Sequence, residues 1–366
     1  VGASTERGDA EAGAAADEPR WRRGVRDVAV VAGPFLVASV AFDSWYSASL
    51  RERAAFEAVY DQGVYAHRVV AREVALLLER LLGDPLGEHL VLNGQRPHGG
   101  GMFTAVLVLN LVAAMALGWL VGRLLERRRV AEPARTLVMV TFGLLVALSQ
   151  STVTPYDLPA AALLLGVLVA AEARPPWDLA AIPLVVVGVA TRESALVAAA
   201  ALVAARWDGP RRRASDGLVA AVAGAAVATY LVGVVGSDEP TLWEALTVRG
   251  NLGRLYGWLG MSAMVGGWLL WRRAWALAGC DEPLDRRRAL LGWMLASPYV
   301  VVALATGYWF EVRLLLPLLV AEAWLRTGPV EDQGQDTSRR QSSRPLWSSR
   351  TSRSPSSTTT TPAGAS

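Results

Sequence analysis

Residues 179–205 read LAAIPLVVVGVATRESALVAAAALVAA, an apolar run of membrane-helix character interrupted near its middle by Thr191, Arg192, Glu193 and Ser194. A charged residue at bilayer depth costs at least about 2.5 kcal/mol on insertion scales, so two adjacent ones have to be paired, hydrated or buried in protein. The flanks decide how the run sits. Glu172 to Asp178 lie upstream, and the string Arg206-Trp-Asp-Gly-Pro-Arg-Arg-Arg213 lies downstream. As a single span the run would put one flank outside, although basic residues are retained in the cytoplasm. The stretch is therefore expected to form two half-helices, 179–190 and 195–205, that enter and leave from the cytoplasmic side with Arg192 and Glu193 at their tip. Irregular backbone at that depth is tolerated only where it is buried in protein or lines a cavity.

The surrounding chain has 366 residues, 52% of them hydrophobic, and a mean hydropathy of +0.30. With Leu/Ala/Val-rich runs along most of its length, it reads as an all-α, polytopic transmembrane helical bundle. All 36 basic residues are arginines, set in loop clusters between apolar runs, which argues against a nucleic-acid surface. The single cysteine, Cys280, excludes an internal disulfide, and the three histidines (His67, His89, His98) lack metal-site spacing. No metal site is expected, and no cofactor is assigned.

Working outward, residues 1–24 are an expected disordered cytoplasmic leader, ending in Arg20, Arg22 and Arg23. The first apolar run follows that leader without a small-residue cleavage site, so it is read as a span rather than a signal peptide. The transmembrane domain covers 25–326. Within it, 46–102 is an extracytoplasmic loop whose stretches 50–60 and 64–82 carry helical apolar stripes and are expected to lie along the interface. Further spans are expected at 28–45, 103–122, 137–149, 158–171, 217–236, 255–271, 289–305 and 311–325, which makes eight crossings plus the re-entrant hairpin. Both termini are then cytoplasmic, in a bacterial cytoplasmic membrane, and the arginine clusters 127–129, 211–213 and 286–288 all fall inside. The Ser/Thr/Arg/Pro-rich stretch 327–366 is an expected disordered tail.

This topology collects the unusual polar residues on the outer side. Asp43 ends the first span; Asp61, Tyr65 and Arg68 lie in the first outer loop; Asp157 begins a span from outside. Arg249 lies in a later outer loop, Glu311 and Arg313 open the last span, and Arg192 and Glu193 approach from below. Arginine offers a planar, permanently charged fork for phosphate oxygens, and a carboxylate can take the proton of an attacking hydroxyl. Such a set suits a substrate carrying phosphate and sugar, such as a polyprenyl-phosphate-linked sugar among the membrane lipids.

The layout of a first span, a long outer loop with an Asp and interfacial helices, and then many spans resembles the GT-C class of integral membrane glycosyltransferases. The strings Tyr60-Asp61…Tyr65-Ala-His-Arg68, Thr191-Arg-Glu-Ser194 and Glu311-Val-Arg313-Leu-Leu-Leu-Pro317 also resemble bacterial multi-pass proteins of that general type. The resemblance covers most of 25–325. It implies that an acidic residue of the first outer loop acts as catalytic base or metal ligand, and the matching position is Asp61, with Asp43 second. The chain departs from the pattern in having no adjacent acidic pair in that loop.

Plainer readings stand beside these. Arg192 and Glu193 also fit a mutually paired kink, Asp61 a loop residue before Gly63, Asp157 a helix cap, and Glu311 with Arg313 interfacial electrostatics. The functional alternatives are a transporter or lipid flippase using the broken hairpin, for which discontinuous helices are characteristic, and a non-catalytic membrane protein of envelope assembly. The topology is tested by a lone cysteine introduced near Gly209 in a Cys280→Ser background. Labelling of intact cells by an impermeant thiol reagent is expected to miss it, and labelling from outside would exclude the hairpin.

Overall fold

The computed structural model describes residues 19–41, 53–60, 65, 68–83, 100–150, 153–173, 176–206, 217, 219–225, 247–280, 283–307 and 311–327. The leader up to 18, the tail from 328, and the catalytic candidates Asp43 and Asp61 lie outside the described residues.

Among the described residues every regular element is helical. The chain runs through α1 (Arg20–Ala41), α2 (Arg53–Tyr60), α3 (Val69–Leu82), α4 (Gly100–Arg127), α5 (Glu132–Ser149) and α6 (Asp157–Ala171). It continues through α7 (Ala181–Thr191), α8 (Leu196–Arg206), α9 (Val248–Leu252), α10 (Leu255–Leu277), α11 (Pro283–Leu295), α12 (Ser297–Thr306) and α13 (Leu316–Thr327). Single 3-10 turns at Trp177–Ala180, Glu193–Ala195 and Val312–Leu315 introduce α7, α8 and α13.

Two of these helices are long and apolar enough to cross a membrane, Gly101–Arg127 and Glu132–Ser149. A third crossing is available if Arg286–Leu295 and Ser297–Ala305, bent by 52°, act together. The eight expected crossings are therefore not reached among the described residues; the expected span 217–236 lies largely outside them, and elsewhere the reasons are local. α1 opens with Arg20, Arg22, Arg23, Arg26 and Asp27, and Gly, Tyr and Trp dilute the apolar content of α10. α6 has 15 residues, and α7 and α8, the halves of the expected hairpin rather than expected crossings, have 11 each. At about 1.5 Å per residue such helices fall short of the ~30 Å hydrocarbon core.

α1 packs against α4 and α5 where glycines let the backbones approach. A Cβ added at Gly118 of α4 would lie 3.1 Å from the Asp27 carbonyl oxygen, and one at Gly143 of α5 would run into the carbonyl oxygen of Val30. Small residues at such crossings replace the hydrophobic drive that lipid cannot supply. Val31 and Phe35 of α1, Leu117 and Val121 of α4, and Val138 and Phe142 of α5 are buried in the resulting core. Beneath them the Asp27 and Arg135 side chains pair, and both residues are buried.

The second half of the core is built around α6. α7 runs antiparallel to it, since Gly188 lies beside Leu163 and Gly166 beside Leu184. After the break the chain turns back: α8 lines a cleft together with α13, and both Ala204 of α8 and Leu325 of α13 lie beside Gly292. α8 and α13 thus run side by side away from the same end of α6, with α11 against them.

Gly143→Val places a branched side chain against the α1 backbone. It is expected to cost about 1–3 kcal/mol, as overpacking does, and to lower the unfolding midpoint of the detergent-solubilised protein. An unchanged midpoint would contradict the close α1–α5 crossing.

Candidate functional site

α7 ends because Arg192 leaves helical conformation. Its φ of −166° and ψ of 141° are extended, while its amide still donates to the Gly188 carbonyl at 2.8 Å. Thr191 Oγ1 closes the last turn by donating to the Val187 carbonyl at 2.7 Å. The extended residue turns the arginine side chain out of the helix and toward the start of α6. There Asp157, 6% exposed, forms an ion pair through Oδ1 with Arg192 and accepts a hydrogen bond on Oδ2 from Arg313 Nη1 at 2.7 Å. Thr154 Oγ1 also donates to Oδ2. Asp157 stands in the first turn of its helix, where a carboxylate is favoured by the helix dipole.

The loop carrying Thr154 is held from inside the bundle. Asn110, a buried polar residue in the apolar α4, donates through Nδ2 to the Thr154 carbonyl at 2.9 Å. On the last segment Arg313 also pairs through Nη2 with Glu311 at 3.0 Å, and both residues are buried.

A second arginine closes the set from the loop helices. Arg68, which precedes α3, donates from Nη2 to Glu193 Oε1 at 2.5 Å and from Nε to Oε2 at 3.2 Å, a two-pronged pair. Burial alone would lower the pKa of Arg68, but the Glu193 carboxylate beside it carries it above its ordinary value. The Arg68 guanidinium lies 4.2 Å from the Tyr156 ring centroid and 5.1 Å from that of Tyr65, and Arg192 lies 5.4 Å from Tyr156. Tyr65 stacks on Tyr156 at 6.0 Å, and Tyr60 meets both rings edge-on at 5.6 and 6.0 Å. Guanidinium over aromatic faces is favourable, more so where water is excluded.

Of the residues singled out from sequence, Arg68, Tyr65, Asp157, Arg192, Glu193, Glu311 and Arg313 converge here. Arg249 does not. It is exposed on α9, and among the described residues no contact joins it to the cluster; α9 is instead tied down by Asn251 Nδ2 donating to the Gly307 carbonyl at 3.0 Å. Asp43 and Asp61 lie outside the described residues, but Tyr60, the residue before Asp61, is part of the aromatic wall. Sequence reasoning missed Asn110 and Thr154. A lone Asn in an otherwise apolar α4 was the available signal.

Three guanidiniums and three carboxylates leave the cluster neutral, yet not saturated. Arg192 Nε, Arg313 Nε and Ser194 Oγ are buried and have no hydrogen-bond partner among the described residues. Arginine brings five N–H donors in a fixed fork, more than a shared carboxylate accepts. Three buried donors, on residues 192, 194 and 313, and the acceptor Asp157 Oδ1 therefore keep unused hydrogen-bonding capacity. No group of His, Cys, Asp and Glu among the described residues is arranged to hold a metal ion. Compared with known protein families, with curated proteins and with solved structures, the chain matches none.

Asp157→Asn removes the charge that two buried arginines share. Breaking a buried pair costs about 3–5 kcal/mol because it strands the partner, so a large drop in the unfolding midpoint is expected. Glu193→Gln, whose partner site is partly open to solvent, is expected to cost less. Equal, small effects of both would refute Asp157 as the hub.

Proposed function

We propose that this chain is an integral membrane glycosyltransferase that moves a sugar from a polyprenyl-phosphate donor to an envelope acceptor on the extracytoplasmic face. The observation that carries the reading is the trio of unsatisfied buried donors, Arg192 Nε, Arg313 Nε and Ser194 Oγ, beside tyrosine rings. Phosphate oxygens would complete their hydrogen bonding, and an aromatic wall suits the apolar face of a sugar. In the reaction an acceptor hydroxyl attacks the anomeric carbon, the bond from that carbon to the phosphate oxygen breaks, and polyprenyl phosphate departs. Asp61 takes the hydroxyl proton, with Asp43 as the second candidate. Arg68, Arg192 and Arg313 stabilise the charge that grows on the phosphate, which is where electrostatic catalysis acts. Asp157, Glu193 and Glu311 are positioning residues that aim these arginines.

The reading includes the eight-span topology with a re-entrant hairpin, a bacterial cytoplasmic membrane and cytoplasmic termini. The arginine clusters in the loops support it. A second reading, a transporter or lipid flippase, is favoured by the helix break at Arg192, because half-helix ends in a bundle are typical ion and substrate sites.

Envelope lipids of a deletion strain, complemented with wild type or with Asp61→Asn, separate the two. Accumulation of a polyprenyl-phosphate sugar that only wild type clears is the expected result. Full clearance by Asp61→Asn would reject the transferase mechanism. Under the transferase reading, Arg192→Ala and Arg313→Ala each weaken retention of polyprenyl phosphate by the purified protein by roughly tenfold or more, the scale of a lost charged hydrogen bond.

A further inference from the structure

At the end of α4 and α5 remote from Asp157, where one helix turns into the other, arginines gather on the surface. α4 and α5 are the two helices long and apolar enough to cross a membrane, so in a bilayer the turn between them, 128–131, lies at one membrane surface. α1 brings its first turns to the same place. A Cβ added at Gly118 of α4 would lie 3.2 Å from Val28 Cα, and one at Gly122 would run into the Asp27 side chain, while Arg26 Nη2 donates to Glu132 Oε2 at the start of α5 at 2.7 Å. The end of α6 joins through the Arg127–Glu172 pair, and Trp177 follows in the 3-10 turn before α7.

The carboxylates Asp27, Glu126, Glu132 and Glu172 are each engaged already, with Arg135, Arg123, Arg26 and Arg127. Arg20, Arg22 and Arg129 are exposed and have no ion pair among the described residues. Arg129 is held in place against backbone preference. Its φ of 51° is left-handed, a conformation that glycine enters cheaply and other residues rarely adopt. Two exposed indoles flank the charge, Trp21 at 66% and Trp177 at 74%, and the Arg22 guanidinium lies 5.3 Å from the Trp21 ring centroid. Indoles of this kind are at home at the head-group level of a bilayer.

α1 extends this polar end into an apolar track. Val25, Ala29, Gly33 and Val37 are all exposed and, at four-residue spacing, share one face of the helix that begins one turn beyond Trp21 and Arg22. From Val25 to Val37 the track is about 18 Å long at ~1.5 Å per residue, close to half of the ~30 Å hydrocarbon core. Free guanidiniums beside interfacial indoles, with an apolar track of one leaflet's depth above them, are the complement of a phosphate that carries acyl chains and no cation of its own. We propose that the first turns of α1 and the α4–α5 turn form a binding surface for an anionic phospholipid, its phosphate on Arg20, Arg22 and Arg129 and an acyl chain along Val25 to Val37. A zwitterionic lipid brings an ammonium next to its phosphate, and that charge is repelled by the same arginines. The proposal rests on the membrane character of the helices and is independent of the transferase reading.

The test is native mass spectrometry of the full chain, purified in detergent and offered an equimolar mixture of glycerol and choline phospholipids of identical acyl chains. Wild type is expected to retain the glycerol lipid roughly tenfold over the choline lipid, the scale that two or three basic residues at a membrane surface supply. Combining Arg20→Gln, Arg22→Gln and Arg129→Gln is expected to bring the ratio near one, whereas lysine at the same three positions keeps most of the preference. Arg129→Gly separates binding from folding: it relieves the left-handed residue, so the unfolding midpoint is expected to hold or rise while the preference falls severalfold. Arg80→Gln, which removes an exposed arginine of α3 instead, is expected to leave the ratio unchanged. Equal retention of the two lipids by wild type, a preference that survives the triple glutamine substitution, or an equal loss in Arg80→Gln would overturn the proposal.

Discussion

One carboxylate holds the polar end of this molecule together. Asp157 forms ion pairs with Arg192 from the helix break and with Arg313 from the start of the last helix, and Thr154 from its own loop donates to it as well. Charges buried this deeply are tolerable only as partners, because the cost of stranding either member exceeds the cost of ordering both. The consequence is architectural. An uninterrupted helix through 181–206 would carry Arg192 on its own surface; the extended backbone at that residue lets the side chain reach Asp157, and the chain then turns back as α8. The same requirement sets Arg313 in a 3-10 turn before α13.

Around that hub hydrogen-bonding capacity is left over. The tyrosine wall and the Arg68–Glu193 pair bring the loop helices over the cluster, so the helices between α1 and α4 become part of the site. Carboxylates neutralise the arginines without exhausting their donors. Preorganised donors of this kind are the usual source of charge stabilisation in buried sites.

A buried ion pair elsewhere makes the contrast clear. Asp27 and Arg135 face one another between α1 and α5, with Arg135 Nε donating to Oδ1 at 3.4 Å and both carboxylate oxygens engaged. That pair is closed and structural. Arg192 and Arg313 each leave an Nε unserved. Among buried groups, residual valence, rather than charge as such, distinguishes those with binding capacity from those that only hold helices together.

The helical character of the chain, the break at 191–194 and the two helices α2 and α3 were all legible as patterns, because apolar periodicity and a charged pair inside an apolar run are local properties. Most of the site was legible too: arginines and carboxylates displaced from their usual loop positions stood out at 68, 157, 192–193 and 311–313. The crossing count was not, since an apolar run such as 158–171 looks like a span in a hydropathy pattern but forms a helix of 15 residues, too short to traverse a bilayer unaided. Arg249 shows the limit for the site, having the same chemistry but an exposed position on α9. The sequence by itself determined which segments are helical, where one breaks and which residue types are out of place. Only the tertiary structure decided which arginine meets which carboxylate and which donor is left over. Pairing depends on distances between segments well separated in the chain, set by how glycines and small side chains let the helices approach.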